Sequence, residues 1–204
     1  MGKALSRVGI TGASGCGVTT LGAALAARLG AVHIDTDDHF WVPTDPPYQI
    51  KRDVPERLAR LAAEQALTGR WVVSGTLDGW AGPALRDVDL IVFLEVPTEV
   101  RLERLRRREQ DRFGDALLPG GSMHEIHREL IEWTAKYDLG TEPGRSRPRH
   151  EKWLAGLDRP VLRLDGTRPA ADLVSAIVSF QRPDGHGMAL EGRQRRDDRE
   201  GRTW

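Results

Sequence analysis

The sequence carries no net charge: 30 Lys and Arg balance 30 Asp and Glu over 204 residues. No global field therefore argues for nucleic acid or an anionic membrane as the partner. Cysteine is almost missing. Cys16 stands alone, which excludes an intrachain disulfide and fits a reducing compartment. No apolar run approaches the roughly 18 residues of a membrane-spanning helix, and the stretch 1–7 lacks the apolar segment of a signal peptide. These absences lead us to expect a cytoplasmic protein, monomer or homodimer, with no nucleic-acid and no membrane partner. The length suits one domain with a real core.

Five short apolar runs, at 7–11, 31–35, 71–75, 89–96 and 161–165, alternate with helical patterns. The run Leu90-Ile91-Val92-Phe93-Leu94 is apolar without alternation, as in a strand buried on both faces. Helices are expected near 18–29, 53–67, 98–112, 123–137, 150–155 and 170–180. Asp53 and Glu56 have capping-box spacing, Pro55 falls in the first turn, and Leu58, Leu61 and Ala62 line one face. The alternation implies an α/β fold with a parallel sheet covered on both sides. From Gln181 the composition turns to Arg, Asp and Gly. The segment 182–204 therefore reads as a disordered tail after a domain at 1–181.

Between the first strand and first helix lies Gly12-Ala13-Ser14-Gly15-Cys16-Gly17-Val18-Thr19-Thr20. Glycines let the backbone fold close to an anion, so several N–H groups converge on it at a helix N-terminus. All nine residues are expected to hold phosphate. The stretch resembles the Walker A loop, G-x-x-x-x-G-K-[ST], with one further absence: Val18 stands where the lysine belongs.

The second strand ends in Asp35-Thr36-Asp37-Asp38. In an open α/β sheet this end faces the same crevice as the phosphate loop. A carboxylate there can orient a hydroxyl and take its proton, and oxygen ligands suit Mg²⁺. An acidic helix cap or turn is the other reading. Next come Trp41, several prolines, Tyr48, Lys51 and Arg52. The rings either face an acceptor or pack a long loop. Gly75, Thr76 and Asp78 follow the third strand and offer close approach and polar contacts. Arg101, Arg104, Arg108 and Arg112 share a helical stripe, with Leu102 and Leu105 on another face. Such a stripe is a solvated surface, a nucleic-acid contact or a phosphate clamp. Arg145, Arg147 and Arg149 form a second basic cluster to which the sequence assigns no purpose. His33, His124 and His127 make no convincing metal set.

Loop, Asp-x-Asp and arginine segment together resemble the small P-loop kinases, the family of adenylate, shikimate and gluconate kinases, over about residues 7–180. The resemblance implies a three-layer α/β/α P-loop NTPase fold with a five-stranded parallel sheet in order 2-3-1-4-5. It implies a helical lid at about 106–125 and phosphoryl transfer from ATP (or GTP) with Mg²⁺. By this likeness Thr19 and Asp35 serve the metal, and Asp37 contacts the acceptor. Arg104, Arg108 and Arg112 clamp the phosphoryl group. Trp41, Lys51, Arg52, Gly75 and Thr76 lie on the acceptor side. Lys51, Arg52 or a lid arginine is expected to supply the charge that Val18 cannot. A nucleotide-binding module without catalysis and an NTP hydrolase are the rival readings.

Overall fold

Strands form where Val, Ile and Leu crowd together. They are β1 (Arg7–Gly12), β2 (Val32–Asp35), β3 (Trp41–Val42), β4 (Ile50–Lys51), β5 (Trp71–Ser74), β6 (Leu90–Glu95) and β7 (Val161–Asp165). The computed structural model describes residues 5–180, and the expected tail at 182–204 lies outside them. Five of the strands make one sheet in the order β2-β5-β1-β6-β7, parallel at every pairing. Apart from the small β3–β4 hairpin, this is the 2-3-1-4-5 order of the resemblance.

The helices are α1 (Val18–Leu29), α2 (Thr36–Phe40), α3 (Val54–Thr68), α4 (Thr98–Phe113), α5 (His124–Ala135), α6 (Arg147–Ala155) and α7 (Ala170–Val178). The period of two in a strand divides β6 between two cores. Leu90, Val92 and Leu94 pack with Leu21 and Leu25 of α1 and Leu173 and Ile177 of α7. Ile91 and Phe93 pack with Leu61 of α3 and Leu154 of α6. Hence the apolar run without alternation, and hence three layers.

Some local expectations shift. After β2 the helix-cap alternative is realised: Asp35 caps a short helix, its Oδ1 accepting from the Asp37 amide at 3.0 Å. The irregular 41–52 stretch contains a hairpin pairing Trp41 with Lys51 and Val42 with Ile50. Asp53 caps α3 by accepting from the Glu56 amide at 2.8 Å. On that helix Leu61 is buried and Leu58 half-buried, but Ala62 is exposed and Arg57 is buried, stacked 3.9 Å over the Phe40 ring. Helix α6 starts earlier than expected, at Arg147. Ser146 caps it, accepting from the Arg149 amide, and Pro148 sits in the first turn, a start signal that the sequence carried.

Candidate functional site

β1 brings Gly12 to the carboxyl edge of the sheet, and the chain turns there with the Cys16 amide donating to the Ala13 carbonyl at 3.1 Å. Two glycines hold the turn in the left-handed region, Gly15 at φ +83° and Gly17 at φ +90°. Gly17 is the N-cap of α1 and gives it no side-chain cap. The first amides of α1 are thus left for an outside acceptor, with the positive end of the helix dipole behind them. Ala13 and Cys16 are buried beneath the loop, whereas Gly17, Thr19 and Thr20 are exposed. Val18 is half-buried and packs against the core. A Cβ on Gly15 would lie 2.6 Å from the backbone oxygen of Arg101, and backbone cannot step aside as a side chain can. Gly15→Ala is expected to weaken nucleotide binding by about tenfold, the equivalent of roughly 1.4 kcal/mol of strain. Calorimetric titration with ATP checks it.

The acidic segment meets the loop directly. Thr19 Oγ1 donates to Asp35 Oδ2 at 2.7 Å. Asp35 also caps α2, so the cap reading holds, and the same carboxylate lies against the loop. The helix is pinned from β5: Thr36 is buried, and its Oγ1 accepts from the Thr76 amide at 2.9 Å. Gly75, at φ +118°, leaves no room for a side chain, since a Cβ would meet Thr36 Oγ1. Thr11 Oγ1 donates to the Gly75 carbonyl at 2.8 Å. Gly75 and Thr76 therefore fix the direction in which α2 presents its carboxylates.

Asp37 lies in the first turn of α2 and is exposed to solvent. Desolvation by the surrounding protein raises its pKa above the ordinary carboxylate value. Arg145 opposes the shift, Asp35 and Asp38 add to it, and Arg108 opposes it again. A carboxylate so placed is a better proton acceptor than an ordinary one.

In the segment 40–48 the aromatic residues pack mainly on one another. Trp41 meets Phe40 edge-on at 4.8 Å between ring centroids and Tyr48 at 5.9 Å. The Lys51 ammonium lies 5.9 Å from the Phe40 and Trp41 rings, and Arg52 pairs with Glu56 at 3.2 Å. Asp78 does not face the crevice. It is buried against Arg149 at 2.6 Å and His150 at 3.6 Å. Burial alone would raise its pKa, but those two partners outweigh it and lower it.

The arginine stripe divides by depth. Arg101 is fully buried and pairs with Asp138 at 2.6 Å. Arg104 donates to the Gly166 carbonyl at 2.9 Å. Arg108 pairs with the buried carboxylate of Glu109 at 2.7 Å, and Arg112 reaches the Tyr48 hydroxyl. The expected lid segment, 106–125, comprises the end of α4, a 3-10 turn at Gly114–Leu117 and the start of α5. Sequence reasoning gave no role to Arg145, yet it is Arg145 that lies on the phosphate loop. Its guanidinium donates to the Gly12 carbonyl at 3.4 Å and to Ser14 Oγ at 3.3 Å. The arginine cluster 145/147/149 was the only sequence signal, and it did not say where the residues would point.

Among the described residues no three His, Cys, Asp or Glu side chains gather as a metal cluster. Mg²⁺ does not need one beside a nucleotide, because water and phosphate oxygens complete its shell. The hydrogen-bonded Thr19 and Asp35 oxygens supply the donor chemistry such an ion takes. No helix among the described residues is long and apolar enough to cross a membrane.

The sequence matches the family described as AAA domain over residues 8–117. It is 39% identical over 171 residues, 84% of this chain and 94% of the other, to a protein of Bacillus subtilis called uncharacterized protein YqaC. It is 28% identical over 114 residues, 49% of this chain and 56% of the other, to a cytidylate kinase of Pyrococcus horikoshii. Among solved structures, a gluconokinase from Sinorhizobium meliloti 1021 superposes with a TM-score of 0.51 at 18% identity, covering 86% of this chain and 91% of that one. That likeness concerns the fold.

Proposed function

This chain belongs to the AAA-domain family, and we propose that it is a small P-loop kinase that transfers the terminal phosphoryl group of ATP to a small-molecule or nucleotide acceptor. The observation that carries this reading is the 2.7 Å hydrogen bond from Thr19 to Asp35. It sets the Asp-x-Asp carboxylates against the phosphate loop, where donor and acceptor must meet.

In this reading the amides of 13–20 hold the phosphates, and Asp37 orients the acceptor hydroxyl and takes its proton as the new O–P bond forms and the bond from the γ-phosphorus to the β–γ bridging oxygen breaks, ADP leaving with that oxygen. Arg104, Arg108 and Arg112 gather charge on the transferring group. Mg²⁺, held beside Thr19 and Asp35, would neutralise phosphate charge. Trp41, Arg52 and Thr76 border the acceptor. Polyols, sugar acids and nucleoside monophosphates are the panel to assay, with ADP release as the signal. Release that depends on one acceptor class supports the kinase. Release without any acceptor marks a hydrolase.

A second reading rests on Val18. An apolar residue packed on the core at the lysine position suits a nucleotide-binding module that no longer turns over. ATP binding without ADP release across the whole panel is its signature.

A further inference from the structure

We propose that Arg145, delivered from the turn before α6, is the cation that takes the place of the missing loop lysine and binds the nucleotide's phosphates. The inference rests on the phosphate-site reading above and says which side chain completes that site.

The loop lacks a cation of its own. Val18 begins α1, half-buried on the core, and the remaining loop residues, 12–17 and 19–20, carry no charge. Backbone amides and a helix dipole then face several phosphate charges alone, so a nearby cation adds more here than at an ordinary loop. Of the cations expected from the sequence, Lys51, Arg52 and the lid arginines, none hydrogen-bonds to the loop among the described residues: Arg104 donates to the Gly166 carbonyl and Arg112 reaches the Tyr48 hydroxyl. Lys51 faces the Phe40 and Trp41 rings, Arg52 pairs with Glu56, and Arg108, a lid arginine, pairs with Glu109.

The second basic cluster behaves differently, and its members separate by partner. Arg147 is held by Asp138 at 2.6 Å and Glu95 at 3.1 Å, and Arg149 by Asp78 at 2.6 Å. Those two brace the body of the protein. Arg145 has no such carboxylate among the described residues. Its contacts are the Gly12 carbonyl and Ser14 Oγ, at 3.4 Å and 3.3 Å, the long end of hydrogen bonding. Its Nε is buried and has no hydrogen-bond partner. A guanidinium carries five donors in a rigid fork that suits phosphate oxygens, and most of these are unspent.

The side chain is nonetheless aimed. Its guanidinium carbon lies 5.6 Å from the Trp133 ring centroid, near enough for a cation–π contact. The indole is itself anchored by donating to the Pro143 carbonyl at 3.3 Å. The guanidinium is therefore held against the loop itself, where phosphate oxygens would lie. The match to the AAA-domain family ends at residue 117, so this cation comes from outside the segment that holds the loop.

The test uses the full chain and three ligands: ATP, inorganic tripolyphosphate and adenosine. Arg145→Met is expected to weaken ATP and tripolyphosphate by at least about tenfold, with adenosine unchanged and the melting temperature held. Adding Val18→Lys to that variant is expected to recover most of the loss, because the charge returns by the loop's own route. Tripolyphosphate affinity within twofold of wild type in Arg145→Met overturns the inference, as does a loss that Val18→Lys leaves untouched. These readouts need no turnover, so they stand apart from the kinase assay. If the wild-type protein binds neither ATP nor tripolyphosphate, the phosphate-site reading itself falls, and the inference with it.

Discussion

Asp37→Asn is expected to lower phosphoryl transfer by about a hundredfold or more, the usual scale for a positioned general base, while ATP affinity changes little. The isostere keeps volume and removes the proton acceptor. The fold does not depend on that carboxylate: α2 is capped by Asp35 and anchored by Thr36, and no hydrogen bond is made by the Asp37 side chain among the described residues. The charge is in fact held at a cost. Asp37 has a folded-state pKa raised by desolvation, so the folded protein binds its proton more tightly than the unfolded chain. Stability from this group is then lost as pH rises through the raised pKa. Asp37→Asn should accordingly melt no lower than wild type at neutral pH. In the wild type, activity should fall on acidification at a pH above the ordinary carboxylate value of 3.8, since only the ionised form accepts a proton. A pH–rate profile and thermal melts of both proteins check these points. Turnover by Asp37→Asn within threefold of wild type removes Asp37 from the chemistry.

The sheet and the loop were legible because their signals are local. A run such as Leu90–Leu94 carries its own burial on both faces, and Gly15 and Gly17 carry their own backbone freedom. The Thr19–Asp35 contact was legible at one remove, since parallel strands send their carboxyl ends to one edge. Positions set by depth were not. Arg101 and Arg108 point to the same side of α4, seven residues and roughly 10.5 Å of helix apart. The first lies beneath the phosphate loop, where the Gly15 backbone rests on it. The second has passed beyond the loop, and its side chain is 59% exposed. Periodicity reports side, not depth. Arg145 was harder still. Its destination depends on a turn that reverses through Gly140 and Gly144, both at positive φ, and on Asp138, Glu95 and Asp78 claiming its two neighbours. None of these choices is written in the local spacing.

Arg101→Met should be the most damaging single substitution in α4, at about 3 kcal/mol, the scale for removing one partner of a buried ion pair. The guanidinium is fully buried and all its branches are used. Nε donates to the Val96 carbonyl at 3.0 Å, Nη1 to the Thr134 carbonyl at 3.5 Å, and Nη2 to both Thr98 Oγ1 at 2.7 Å and Asp138 Oδ2 at 2.6 Å. Its plane also lies 4.9 Å from the Tyr137 ring centroid. Methionine fills part of the volume and none of the donors, so Val96, Thr98 and Asp138 lose a partner together. For a domain of this size the melting temperature should fall by roughly 6–12 °C. The acid dependence tells the pair from simple packing. Burial alone would raise the Asp138 pKa, but Thr98, Arg147 and Arg101 outweigh it, and the net shift is downward. Asp138 thus contributes stability above its ordinary value of 3.8 and loses it as pH falls through the depressed folded-state pKa. Wild type and Arg101→Met should therefore converge in stability as pH drops below that range. Arg112→Met, at the exposed far end of the same helix, should unfold within about 0.5 kcal/mol of wild type. If it slows phosphoryl transfer while Arg101→Met alone costs stability, the stripe is two devices on one helix: an anchor under the loop, and a clamp beyond it.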